Sequence, residues 1–404
     1  MNRRGFLALA GMAATAGVPL WQPDARAAAL AAAQSGAGYG NVLILVELKG
    51  GNDGLNTVVP YADPLYYTLR RNIGIRRDRV LQLDERAGLH PALAPLLPLW
   101  RDRQLAIVQG IGYPQPNLSH FRSIEIWDTA SRSDQYLRDG WLTRTFAQTP
   151  VPANFAAAGV VLGSAEMGPL SNGARAIALV NSAQSMRASR LAEPVAVRGE
   201  NPACARIVDV GNDIAEAVDR LRSRGGMRAF TTAFPSGAFG ASVKTAMQVL
   251  AACETPGMTP RNGVAVLRLT LNGFDTHQNQ PARQAALLEQ LAEGMSAMRA
   301  ALIELGRWNE TLVMTYAEFG RGARENPRNG TDHGTAAPHF VMGGRVAGGL
   351  YGEPPALGRL DGNGNLPVPV DFRQLYATVL GPWWGLDPAH VLQQRFEPLP
   401  LLRV

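Results

Sequence analysis

The run Val42-Leu43-Ile44-Leu45-Val46-Glu47-Leu48 constrains this chain more than any other segment. It is almost continuously apolar and too short for a core helix, so it reads as a strand buried on both faces. Such a strand needs cover on each side, which means a sheet sandwiched between two further layers. It stops abruptly in Lys49-Gly50-Gly51-Asn52-Asp53-Gly54, a turn sequence that carries the first polar cluster.

The same pattern recurs along the chain. A helical stretch at 91–100 leads into Leu105-Ala106-Ile107-Val108, which halts at Gly110 and Gly112 and gives way to a polar loop with Ser119-His120. Short strands are expected at 160–162 and 176–180, and helices at 207–221 and 241–252. A strand at 264–271 ends in Asn272-Gly273-Phe274-Asp275. Pro281 then opens a long helix whose Leu288, Leu291, Met295, Met298, Leu302 and Leu305 step by three or four, so one face packs on the sheet. A strand at 311–316 runs into Ala317-Glu318-Phe319-Gly320-Arg321, Phe340-Val341-Met342 forms a last short strand, and Asp371 caps a final helix. Strands alternating with helices predict an α/β fold of three layers, a mostly parallel sheet with helices on both faces. Residues 41–404 read as a single domain, with a less regular, cap-like part around 130–260.

The N-terminus reads as an address. Asn2-Arg3-Arg4-Gly5-Phe6-Leu7, a short apolar stretch and Ala25-Arg26-Ala27 make residues 1–27 a twin-arginine signal cleaved after Ala27, with 28–40 a flexible Ala/Gly/Ser lead-in. The expected partner is the twin-arginine export machinery and the expected location the periplasm. No later stretch is apolar enough to anchor the cleaved chain in a membrane. The formal charge of +6 comes almost wholly from arginine, with Lys49 and Lys244 the only lysines. No basic run with interleaved aromatics points to nucleic acid. Cys204 and Cys253 are the only cysteines, too few for a thiolate metal site, and their pairing stays open.

The chemistry gathers beyond predicted strand ends: Asn52-Asp53, Ser119-His120, Asp275-Thr276-His277 and Glu318, then Asp332-His333 and His339. In open α/β sheets that edge binds ligands. Taken singly, each cluster also reads as a turn, a helix cap or a solvated ion pair. Taken together, Asp and His from distant segments on one edge favour an assembled site for a divalent metal (Zn, Mn, Mg or Ca).

Gly50-Gly51-Asn52-Asp53-Gly54-Leu55-Asn56, Gly273-Phe274-Asp275-Thr276-His277, Glu318-Phe319-Gly320-Arg321 and Gly330-Thr331-Asp332-His333-Gly334-Thr335 resemble the motif set of domain-of-unknown-function family 1501. More remotely, the chain is similar to the alkaline phosphatase/sulfatase superfamily. That resemblance implies an alkaline phosphatase-like fold, with Asp53, Asp275, His277, Asp332, His333 and His339 as metal ligands. It places Asn52 and His120 beside them as further ligands or as residues that orient ligands. Ser119 stands roughly where the superfamily has its nucleophile. Arg321 would stabilise charge on a non-bridging oxygen, and Glu318 would be a ligand, a general base or an orienting group. The implied activity is hydrolysis of a phosphate or related ester, on a small molecule or a polymer. The alternative is a non-catalytic protein of envelope or matrix assembly that keeps the fold.

Overall fold

The computed structural model describes residues 38–173, 175–179, 229–253 and 263–403. In chain order its strands are β1 (Val42–Lys49), β2 (Val58–Val59), β3 (Leu81–Gln82), β4 (Gly88–Leu89), β5 (Leu105–Gly112), β6 (Ala157–Leu162) and β7 (Ala176–Leu179). They continue as β8 (Val264–Asn272), β9 (Thr311–Tyr316), β10 (Gly320–Glu325), β11 (Thr331–Gly334), β12 (Ala337–Met342), β13 (Gly349–Tyr351) and β14 (Val370–Asp371).

The main sheet has the order β13-β5-β12-β9-β1-β8-β6-β7, with β14 also pairing β5. β1 lies inside it, parallel to β8 on one side and to β9 on the other. Only β12 runs against its neighbours β5 and β9. The sheet is therefore mostly parallel, and β5, β9, β1 and β8 all end at one edge. That edge is where the polar clusters sit.

β1 shows why the apolar run dictates the architecture. Val42, Ile44, Val46 and Leu48 enter one core with Leu93, Leu96 and Leu99, the helix Gly237–Ala252 and the helix Gln280–Glu304. Leu43 and Leu45 point the other way, into a second core with Ile126, Trp127, Trp141 and Tyr376. Alternate residues of a strand face opposite sides, so two apolar faces require two covering layers. The long helix buries Leu288, Leu291, Met295, Met298 and Leu302 completely and leaves Leu305 8% exposed, the face its spacing predicted.

Several local expectations change. The 91–100 stretch is a 3-10 helix, Pro91–Leu96, followed by a short α-helix, Leu97–Arg101. Pro95 and Pro98 remove the amide donors that one continuous α-helix would need. The 130–260 stretch is not simply a cap: β6 and β7 extend the main sheet, and β6 is buried along its whole length. The helix expected at 207–221, and Cys204, lie outside the described residues. Among the described residues no helix is long and apolar enough to cross a membrane.

Candidate metal centre

Gly50 and Gly51 set the geometry at the end of β1. Both have positive φ, +114° and +77°. A Cβ on Gly50 would lie 2.4 Å from the Asp275 amide nitrogen, and one on Gly51 would lie 2.5 Å from the Phe319 ring. Only glycine lets the β1 turn sit against the loops that follow β8 and β9.

Arg321 then ties those loops together. It is fully buried, and its guanidinium donates to the carbonyls of Gly51 (2.8 Å), Gly50 (2.6 Å), Phe274 (3.0 Å) and Thr331 (3.1 Å) and to Asp275 Oδ1 (2.5 Å). Carbonyls just past a strand end have no ladder partner and need one when buried. Arg321 supplies it. Its donors are thus committed to the protein, which corrects its expected role as a free oxyanion stabiliser.

Above this clamp, three imidazoles face the Asp275 carboxylate. His277 Nε2 lies 3.1 Å and His333 Nε2 3.3 Å from Asp275 Oδ1, and His120 Nε2 lies 3.5 Å from Asp275 Oδ2. The two Nε2 atoms of His277 and His333 approach to 3.0 Å. Ligand atoms of His120, Asp275 and His333 all fall within 4.8 Å of one another. Each ring is held from behind through Nδ1: His120 by Glu318 Oε1 (2.7 Å), His333 by the Leu118 carbonyl (2.7 Å) and His277 by Asp332 Oδ1 (3.2 Å). An oxygen on Nδ1 takes the proton there, and a neutral ring held in this way turns its Nε2 lone pair toward Asp275.

The local elements explain these placements. His120 opens the helix His120–Thr129, and Ser123, three residues on, donates from Oγ to the Glu318 carbonyl at 2.5 Å. One helix face therefore locates both His120 and the residue that orients it. Glu318 is 2% exposed, and its carboxylate also accepts from the Gly50 amide at 2.9 and 3.2 Å. It pairs with neither Arg321 nor Arg324. Asp332 and His333 are on β11 of a hairpin with β10, not in a loop, and His333 sits directly across from Arg321.

Charge follows contact. The hydrogen bond and charge of Glu318 raise the His120 pKa against the effect of partial burial. Partial burial, helped by Arg321 and His120, lowers that of His333. Partial burial alone would raise the Asp275 carboxyl, but the hydrogen bond and charge of Arg321 outweigh it and hold the pKa below the usual range.

Asp53, Asn52 and His339 do not join the imidazoles. The Asp53 carboxylate is fully buried and accepts from Arg70 Nη1 (2.5 Å), Gln280 Nε2 (2.5 Å) and the Leu55 amide (3.2 Å). Asn52 bonds to Thr57 at 2.9 Å and to Gln284 at 3.3 Å. A carboxylate paired with a buried guanidinium is already neutralised, so Asp53 supports the edge from beneath. His339 is 1% exposed beside Trp127, with Thr315 Oγ1 3.5 Å away, and burial pushes its pKa down to about 3. It is a core imidazole on β12. Ser119 is exposed between Leu118 and His120, with its amide bonded to Asn117 Oδ1 at 2.9 Å.

Residues 106–396 match the family described as "Protein of unknown function (DUF1501)". The chain belongs to this family. No curated protein matches it. Among solved structures, this DUF1501 chain is similar to an alkaline phosphatase superfamily protein from Vibrio parahaemolyticus (9% identity, TM-score 0.39, 88% of this chain and 70% of that one). It is similar to the PsFucS1 sulfatase from Pseudoalteromonas sp. (11%, TM-score 0.39, 94% and 75%). It is also similar to the C-terminal periplasmic domain of EptC from Escherichia coli, solved in complex with Zn (9%, TM-score 0.33, 75% and 72%).

Proposed function

We propose that this DUF1501 chain is an exported, metal-dependent hydrolase of a phosphate or related ester. The divalent ion would be held by Nε2 of His120, His277 and His333 and by the Asp275 carboxylate. One observation carries the reading: each imidazole has an oxygen behind Nδ1, and all present Nε2 to one carboxylate. A nitrogen-rich set with one carboxylate suits zinc or manganese better than calcium or magnesium, which take oxygen cages. The ester class rests on the motif resemblance.

The centre is open. The side chains of Asp275, His277, His120 and His333 are 47%, 34%, 29% and 21% exposed, so water and substrate reach it, unlike a closed structural site. When bound, such an ion lowers the pKa of a coordinated water and offsets charge on an ester oxygen. Glu318, Asp332 and the Leu118 carbonyl hold the three rings at Nδ1 and so aim each Nε2 at the ion's position. The nucleophile is either water or the exposed hydroxyl of Ser119, next to His120; loss of turnover in Ser119→Ala selects the second.

The test is elemental analysis of the purified protein, joined to turnover of phosphomonoester, phosphodiester and sulfate ester substrates with zinc or manganese. Asp275→Asn should lose both metal and turnover and melt below chelator-treated wild type, because it removes the bound metal that stabilises the fold and also the carboxylate paired with the buried Arg321. Bound metal with no turnover of any ester class would defeat the hydrolase reading and leave the non-catalytic alternative. Metal content unchanged in Asp275→Asn would defeat the centre.

A further inference from the structure

Away from the imidazoles, the ladder of β5 is interrupted on both edges at one place. Toward β12, Ile111 pairs with Ala337 and Val108 with His339, so Gln109 and Gly110 together oppose the single residue Pro338. This is a β-bulge, a device that re-aims a side chain out of the regular alternation. Gly110 takes φ +69°, and Pro338 has no N–H to close the gap. On the opposite edge β13 pairs as far as Val108, and β14 resumes only at Ile111.

The chain between β13 and β14 folds over this double gap and borders a partly open cavity of about 290 Å³. Its walls include Pro338, Pro354, Pro355, Pro367 and Pro369. Proline rings fix φ and offer no amide donor, so these walls are stiff and largely apolar. Gln109 lines the cavity and is 6% exposed. Its carboxamide makes no hydrogen bond with any described residue, yet neither polar atom is sealed in the protein. A nearly buried carboxamide without a protein partner is free to bond a molecule in the cavity that Gln109 lines.

We propose that the cavity is a binding site for a small, largely apolar molecule bearing a carboxamide. The ligand's N–H would donate to Gln109 Oε1, and its carbonyl would accept from Gln109 Nε2, while its apolar body packs on the proline walls. Sites of this kind are mostly apolar with few convergent polar groups. Arg321 also lines the cavity while donating to Asp275, so the two sites share a residue. The proposal does not depend on hydrolysis at the metal centre.

Benzamide is the probe, with toluene as the ring lacking the amide, titrated into the full chain by calorimetry and ligand-observed NMR. Saturable benzamide binding at millimolar concentration is expected. Gln109→Leu should weaken benzamide about tenfold to a hundredfold, the worth of two net hydrogen bonds, and leave toluene binding unchanged or tighter. Ala356→Trp, at a half-buried loop position on the wall, should block both ligands even if Gln109→Leu folds poorly. No saturable benzamide binding to wild type overturns the proposal. So does benzamide binding that Ala356→Trp leaves intact, or equal benzamide affinity in a folded Gln109→Leu.

Discussion

Replacing Glu318 with Gln separates its roles at the centre. In the structure one carboxylate does two things: Oε1 holds His120 Nδ1 at 2.7 Å, and both oxygens accept from the Gly50 amide, at 2.9 and 3.2 Å. A carboxamide keeps the shape, and its one oxygen can still accept from both Gly50 and His120 as Oε1 does, but it puts an N–H donor where Oε2 now accepts from the Gly50 amide. It also removes the charge that raises the His120 pKa. Loss of one buried acceptor costs about 1–3 kcal/mol of stability. Loss of the group that orients a metal-bound imidazole weakens metal affinity about 10–100-fold. Competition against a coloured chelator gives the metal affinity, and thermal melts of metal-free protein give the stability separately. An unchanged metal affinity beside a lowered metal-free melt would refute the reasoning, because Glu318 would then hold only the Gly50 turn. A loss far beyond 100-fold would refute it from the other side, making Glu318 itself a ligand.

Other perturbations address the surroundings. Asp53→Asn should destabilise by about 3–5 kcal/mol, since it strands the buried Arg70 charge, with metal content per folded chain unchanged; metal loss without destabilisation would restore Asp53 as a ligand. His339 is buried with a pKa of about 3, so the unfolded chain takes up a proton near the ordinary value of about 6.5 that the native state refuses, and stability falls as pH drops below that value. Relative to wild type, His339→Leu should gain about 1.4 kcal/mol per pH unit between pH 6 and 4 by chemical denaturation; parallel curves would contradict the burial argument. Arg3→Lys with Arg4→Lys should abolish export in cell fractionation, because the export receptor reads the guanidinium pair; normal periplasmic accumulation would refute the signal.

What the sequence made legible followed from periodicity. The β1 run, the stripe on the long helix and the glycine turns at strand ends each have one simple physical reading, and the structure keeps them. Asp275, His277 and His333 were legible for the same reason, each lying just past the parallel edge or on the hairpin folded over it. His120, read beside that set, lies in one cluster with Asp275 and His333. Arg70, Gln280 and Gln284 were missed. The two glutamines left a trace, polar residues four apart on the face that otherwise packs inward, with Gln280 0% and Gln284 1% exposed. Arg70 left none, since nothing local distinguishes a buried arginine from its exposed neighbour Arg71. His339 misled because residue type was read without register. On β12 it is one of six consecutive buried residues.

The division between Asp53 and Asp275 has a physical cause. Both follow strands that end at the same edge, and both contact an arginine, Arg70 for Asp53 and Arg321 for Asp275. They differ in exposure, 0% against 47% for the side chain. Under the sheet edge, a carboxylate is tolerable only when its charge and lone pairs are met. Arg70, Gln280 and the Leu55 amide meet those of Asp53. Gln280 also accepts from Thr276 (3.0 Å) and Thr331 (2.6 Å), so this floor is bonded to the loop carrying Asp275 and His277 and to the strand carrying His333. At the edge itself, Arg321 takes one oxygen of Asp275 and leaves the other facing His120. A motif dense in Asp, Asn, Arg and Gly therefore encodes two layers. The lower one spends its polar groups on holding three chain segments in register, and the upper one keeps lone pairs unspent. Only the upper layer has the chemistry to hold an ion.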